Sequence, residues 1–276
     1  MSGQNVNAIS PLFDITVRKV GIVARDYNVR FPNGYRDFSY SLPDVLTLLD
    51  EKGCDTALFS LYSIIPRKGY DILPTLQDFA NLKMICLEEF RDCRNGRKAG
   101  DTVVYYQMPD GWKECRFKQA FGRINWQTQC PDIKNFAQKG IHRRVFGSAC
   151  ILVCGETNGV KYDKIGAKNI YDPCGVRAAI PPHVEVILNP VHDKMTRFEM
   201  AMKRRFLSEG GRYVVSVWNK GKRDCNGRCK DGPGHTYTVF QNGAAVPVEG
   251  LPNDFGVEIS ILNIDKSLDV AGITGY

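Results

Sequence analysis

No apolar stretch in this 276-residue sequence approaches the roughly 20 residues that a membrane-crossing helix needs, so no membrane partner is expected. The opening residues, MSGQNVNAISPLFDITVRKV, lack a basic start followed by an apolar core, and the chain is therefore read as cytoplasmic. There is no compact cysteine framework. Ten cysteines lie scattered at positions 54, 86, 93, 115, 130, 150, 154, 174, 225 and 229, and without export they are expected as reduced thiols. Paired CxxC or HxxxH spacings are missing, so the Cys225–Cys229 loop with His235 is not read as a zinc site. No metal or cofactor is expected. No repeat, low-complexity segment or linker divides the chain, which predicts one domain over residues 1–276 with an irregular leader over 1–17. The net charge is +7, yet no nucleic-acid-binding motif accompanies it, and the basic residues are interleaved with acids. That charge suits an anionic small molecule or a solvated surface better than a nucleic acid, whose binding would fall steeply with salt.

The composition is that of an ordinary globular protein, 43% hydrophobic and 24% charged. Short apolar runs of strand length recur: Val20–Ala24, Thr56–Tyr62, Lys83–Leu87, Thr102–Gln107, Val184–Leu188, Tyr213–Trp218, Thr236–Phe240 and Glu258–Asn263. A helix is signalled after Ser41, with Pro43 early, Asp44 in the first turn and Gly53 beyond the end. A second helix is expected over Lys194–Glu209, with Met195, Phe198, Met202 and Phe206 inward and Lys203, Arg204 and Arg205 elsewhere. Met108-Pro109-Asp110-Gly111 predicts a hairpin whose return strand is Lys113–Phe117. Arg91–Gly100 reads as a charged turn, and 119–147 as irregular loops.

One stretch, CILVCGETNGV over Cys150–Val160, has the pattern of a buried strand that stops at a cysteine and turns sharply at Gly155. Such a strand presents a thiol at the carboxyl edge of a sheet, where open α/β sheets place their chemistry. Cysteine is also among the most buried residue types, so Cys154 alone does not make a site.

Three separated pieces change that weighting. They are the PDG hairpin ending in Arg116-Phe117-Lys118, the Cys154-Gly155-Glu156 edge, and Asn189-Pro190 followed by a basic helix and Tyr213–Asn219. Their order and spacing resemble the nitrilase, or carbon–nitrogen hydrolase, superfamily over about residues 18–265. The resemblance implies an α/β fold, a four-layer α-β-β-α sandwich, often assembled as a homodimer. It implies a cysteine nucleophile that attacks a small amide or nitrile, forms a thioester and releases it to water. Cys154 matches the nucleophile and Lys118 the stabilising lysine. Glu156 matches an orienting carboxylate. Trp218 and Asn219, which end a strand, match pocket-lining positions, and Tyr62, with His192 just after Asn189-Pro190, is read as a further candidate to contact the substrate. The family's catalytic glutamate falls on Leu61, and leucine cannot move a proton. Glu156 is then the nearest replacement base, with Glu88 and Glu89 further off. Two readings stay open: a cysteine-dependent carbon–nitrogen hydrolase, or a degenerate relative retained for binding or assembly.

Overall fold

The computed structural model describes residues 15–26, 37–66, 72, 76, 79–93, 96–163, 169–192, 197–221 and 234–264. In chain order the strands are β1 (Lys19–Arg25), β2 (Thr56–Phe59), β3 (Met84–Cys93), β4 (Gly96–Met108), β5 (Gly111–Phe117), β6 (Val145–Phe146), β7 (Ala149–Ile151), β8 (Lys161–Tyr162) and β9 (Ile170–Tyr171). They continue as β10 (Val186–Pro190), β11 (Tyr213–Val217), β12 (Tyr237–Gln241), β13 (Ala244–Ala245), β14 (Glu249–Leu251) and β15 (Val257–Asn263). The helices are α1 (Leu42–Glu51), α2 (Cys130–Asn135), α3 (Val176–Ala179) and α4 (Phe198–Ser208).

Two sheets carry the architecture, in the orders β14-β15-β1-β2-β3-β4-β5 and β13-β12-β11-β10-β7-β6. Both are parallel at the centre, across β1, β2 and β3 in one and β7, β10 and β11 in the other, and antiparallel toward the edges. Strand side chains alternate between faces. Val20 and Ile22 of β1, Ala149 and Ile151 of β7, Val186 and Leu188 of β10, and Val215 and Val217 of β11 meet in one core between the sheets. The opposite face of the first sheet, with Val23, Ala57, Phe59 and Ile85, packs against Val45, Leu46 and Leu49 of α1. The opposite face of the second, with Cys150, Ile187 and Val214, packs against Ile133 of α2, Val176 of α3 and Leu207 of α4. The layers are therefore helix, sheet, sheet, helix. Close approach sets one local choice: a Cβ on Gly21 of β1 would lie 2.5 Å from a Leu49 methyl.

Several sequence expectations need correction. Arg91–Gly100 is not a charged turn. β3 and β4 continue as an antiparallel ladder as far as the Cys93–Gly96 pair, with a register shift between Glu89 and Arg91; residues 94 and 95 lie outside the described residues. Backbone pairing with the neighbouring strand sustains these exposed positions, so low apolar content does not end the strand. β2 stops at Phe59, three residues short of the expected end, because the chain bends to a left-handed φ of 60° at Tyr62. The segment 119–147 contains α2, a π-helical turn over Phe136–Gly140 and a 3-10 turn over Ile141–Arg144. α4 is rotated from the expected face: Met200, Lys203, Arg204 and Leu207 are buried, while Phe198 is 65% exposed. The leader residues 1–14, part of the expected helix start and the Cys225–Cys229 loop lie outside the described residues. Among the described residues no helix is long and apolar enough to cross a membrane.

The carboxyl ends of β1, β2 and β11 are tied together by one buried amide. Asn219 Oδ1 accepts from the Arg25 backbone N–H (3.1 Å) and from the Ser60 hydroxyl, and its Nδ2 donates to the Leu61 carbonyl (2.6 Å). Removing this side chain leaves several buried groups unsatisfied. Asn219→Ala is expected to lower unfolding free energy by about 3 kcal/mol, read as a shifted midpoint in urea with an unchanged slope.

Candidate active site

β7 ends at Ile151, Leu152 and Val153 stay extended, and the chain turns into a 3-10 helix over Cys154–Gly159. Cys154 has a φ of 45°, in the left-handed region that costs a side-chain-bearing residue about 1–3 kcal/mol. Such a conformation persists only where its surroundings fix it. Asn189, at the end of β10, does so by donating from Nδ2 to both the Leu152 and the Cys154 carbonyls, while the Ser216 hydroxyl donates to its Oδ1. Gly155 is required by close approach: a Cβ there would lie 2.6 Å from the Gly122 backbone. The turn is thus pressed against the 119–126 segment.

Glu156 is fully buried and accepts three kinds of donor. Oε2 takes the Val153 N–H (2.8 Å), and Oε1 takes the Ala120 N–H (2.7 Å) and Arg144 Nη2 (2.8 Å). Arg144 also donates to the Lys118 carbonyl at 2.8 Å and lies 3.9 Å over the Phe117 ring. Burial pushes the Glu156 carboxyl above the usual carboxylate range, against the Arg144 charge and these hydrogen bonds. The side chain links the cysteine turn to Ala120 and to Arg144, which in turn holds the Lys118 carbonyl just beyond β5.

The group that meets the thiol is His192, two residues beyond β10. Its Nε2 lies 2.9 and 3.0 Å from the two Glu88 carboxylate oxygens, and Cys154 is near enough to act on its protonation. Because an ionised carboxylate only accepts, Nε2 carries the proton in this pair. Glu88 is 2% exposed. It also accepts the Tyr62 N–H at 2.7 Å and the Gly100 N–H at 3.1 Å, while its own N–H donates to Ser63 Oγ. The Tyr62 ring packs on the imidazole with centroids 4.4 Å apart. Burial alone would push the imidazole toward its neutral form. Interactions with Cys154 and Glu88, including the negative charge of both, prevail and push its pKa up to about 9. Imidazole and carboxylate thus form a hydrogen-bonded pair beside the thiol, a grouping that can serve an activated nucleophile.

In front of Cys154 opens a cleft of about 550 Å³, whose walls include Gly122, Trp126, Gly155, Asn158, Tyr162 and Lys203. Behind the turn lies Arg204, fully buried, with its guanidinium 5.6 Å from the Trp218 ring and donating to Thr238 Oγ1 at 3.0 Å. Burial lowers its pKa to about 10, opposed by the charge of Cys154.

Against solved structures, the chain superposes on the NitN amidase from Nesterenkonia sp. AN1 with a TM-score of 0.50 at 9% identity, over 91% of this chain and 94% of that one. An amidase from Nesterenkonia sp. gives 0.49 at 10% identity, over 95% of this chain and 97% of that one. A carbon–nitrogen hydrolase from Helicobacter pylori G27 gives 0.46 at 10% identity, over 90% and 89%. The chain has the nitrilase-superfamily fold. No family model matches the sequence, and no curated protein matches it.

On this nitrilase fold the residues named from the sequence separate. Cys154 lines the cleft, and Glu156 lies beneath its turn. His192 is paired with Glu88, and the Tyr62 ring packs on it. Trp218 is 2% exposed under Arg204, and Asn219 is 2% exposed in the inter-sheet clamp. Lys118 is exposed and absent from the cleft walls; its backbone carbonyl, bound by Arg144, is what reaches the site's supporting network. Leu61 is fully buried in the core between the sheets, the same core against which Cys154 packs. Sequence reasoning undervalued Glu88. Its signal was a carboxylate within the apolar strand run MICLEEF, at a position that must either face solvent or find buried partners. It missed Lys203 and Arg204 by assigning them to the outer side of α4.

Two predictions follow from this geometry. His192 is raised from an ordinary value of 6.5 to about 9, so its contribution to folding is complete below pH 6.5 and lost as pH rises through about 9. The stability difference between the native chain and His192→Gln, measured by thermal melts, should therefore be largest in acid and vanish above that point. Gly155→Ala forces the turn away from Gly122, and selective iodoacetamide labelling of Cys154 over the other cysteines should be lost in that variant.

Proposed function

We propose that this protein is a cysteine-dependent carbon–nitrogen hydrolase acting on a small amide or nitrile through a thioester at Cys154. The observation that carries this reading is Cys154 on the wall of the cleft, with the hydrogen-bonded His192–Glu88 pair close enough for the thiolate charge to act on the imidazole. Leu61 leaves no carboxylate at the position the family resemblance assigns to the base. His192, held by Glu88, supplies the proton transfers instead.

For an amide, the steps are as follows. The Cys154 thiolate attacks the carbonyl carbon, and the developing negative oxygen is stabilised by donors at the cysteine turn, the Gly155 N–H being the adjacent one. As the carbon–nitrogen bond breaks, the His192 imidazolium gives its proton to the leaving nitrogen, which departs as ammonia or an amine. Acylation removes the negative charge from sulfur. The negative charge of Cys154 helped to hold the imidazolium proton, so the imidazole of the acyl-enzyme is the better base. It then takes a proton from water, the hydroxide adds to the thioester carbon, and the carbon–sulfur bond breaks. The carboxylic acid leaves, and thiolate and imidazolium are restored. Lys118, which the resemblance assigns to oxyanion and thiolate stabilisation, acts in this scheme through its backbone carbonyl on Arg144; the buried cation facing Cys154 is Arg204.

Leu61 supports a second reading, a nitrilase-fold protein without amide chemistry, because a buried leucine beside the nucleophile's core excludes the expected carboxylate. The two readings part on one experiment. Incubation with a panel of primary amides and nitriles, followed by intact-mass analysis, should show an acyl adduct that Cys154→Ala lacks, together with ammonia release. Turnover should decline as pH rises through about 9, where the imidazolium that protonates the leaving group is lost. Glu88→Gln should reduce kcat by about 10²-fold or more, the usual scale of assisted proton transfer. No adduct and no ammonia with any member of the panel would favour the second reading.

A further inference from the structure

The cleft in front of Cys154 is lined by four cationic side chains, Arg123, Lys161, Arg197 and Lys203, and by one carboxylate, Glu199. They come from separate parts of the chain: the segment before α2, β8, the residue preceding α4, and the middle of α4. No basic run in the sequence groups them; folding does. Lys203 is only 6% exposed, and its ammonium donates to Asn158 Oδ1 at 2.8 Å. Asn158 in turn donates to the Gly122 carbonyl at 3.0 Å. This cation is therefore fixed to the same short turn that begins with Cys154. Glu199, 3.9 Å from the ammonium, offsets one positive charge and leaves the cleft an excess of three.

Like charges gathered in a concave surface repel one another and focus their field into the space between them. A neutral amide gains nothing from that field, whereas an anion both relieves the repulsion and is drawn in. The volume, about 550 Å³, also admits a molecule well beyond the smallest amides. Trp126 and Tyr162 supply apolar wall for the chain linking two polar ends. We propose that the cleft binds the anionic end of its substrate, so that the amide presented to Cys154 belongs to a molecule bearing a carboxylate on its acyl chain. This substrate class rests on the hydrolase reading of Cys154.

Iodoacetate and iodoacetamide test the anion site without requiring turnover. Both alkylate a thiol with loss of iodide, and they differ chiefly in charge. The ratio of their rates at Cys154 should exceed the ratio at the partly exposed Cys115 in the same molecule by about ten-fold at low ionic strength, the lower end of electrostatic focusing. The excess should shrink as salt screens the cleft. Lys203→Met and the exposed Arg197→Gln should each lower it several-fold. A ratio at Cys154 no greater than at Cys115 would overturn the proposal.

A matched substrate pair separates this proposal from the one beneath it. Succinamate hydrolysed at least about ten-fold more efficiently than butanamide supports both. Equal hydrolysis of the two refutes the anion site and keeps the hydrolase. Hydrolysis of neither, with the iodoacetate preference intact, refutes the hydrolase and keeps the anion site.

Discussion

Two apolar sheets buried face to face allow a polar group into their interface only if it brings partners, because an unpaired buried hydrogen-bonding group costs several kcal/mol. The carboxyl ends of the parallel strands obey this rule. Asn219 joins the ends of β1, β2 and β11, Asn189 joins the ends of β7 and β10, and Ser216 joins Asn189 to β11. These amides take the place that ladder hydrogen bonds leave empty where strands diverge. The site stands on this edge, and its geometry is inherited from them.

Backbone strain is concentrated on the same edge. Among the described residues, three non-glycine residues have a left-handed φ: Tyr62, Cys154 and Asn242. Asn242 belongs to a tight hairpin turn before Gly243, where such a conformation is ordinary. The other two flank His192. Tyr62 gives its N–H to Glu88 and its ring to the imidazole, and the charge of Cys154 acts on the same ring. The strain at each is balanced by a buried carboxylate or amide nearby, Glu88 for one and Asn189 for the other. The Cys154 backbone and the His192 imidazole are thus each held in place by a buried partner of its own.

Much of this was legible in the chain itself. The cysteine edge, the PDG hairpin, α1 and most strands follow from apolar runs bounded by turn residues, and Glu156 was readable as an orienting group two residues after the thiol. The face of α4 was not legible. Periodicity favoured Phe198, Met202 and Phe206 as the inward set, yet Lys203 and Arg204 are buried, because Asn158, Thr238 and the Trp218 ring receive them. The charged end of the β3–β4 ladder was equally opaque, since pairing with a neighbour, not apolar content, sustains a strand at an exposed position.

Local order thus determined what this protein could be: an α/β chain whose strands end in Cys154, Asn189 and Asn219, with no carboxylate at position 61. Hydrophobic spacing and turn chemistry act over a few residues, and such features can be read in one dimension. Only the tertiary structure decided which groups meet. Glu88 and His192 are 104 positions apart, and the four cations of the cleft come from three segments, the one before α2, β8, and α4 with its N-cap. Their convergence depends on how two twisted sheets pack and where each strand ends against its neighbour, and no local pattern encodes a distance across that interface.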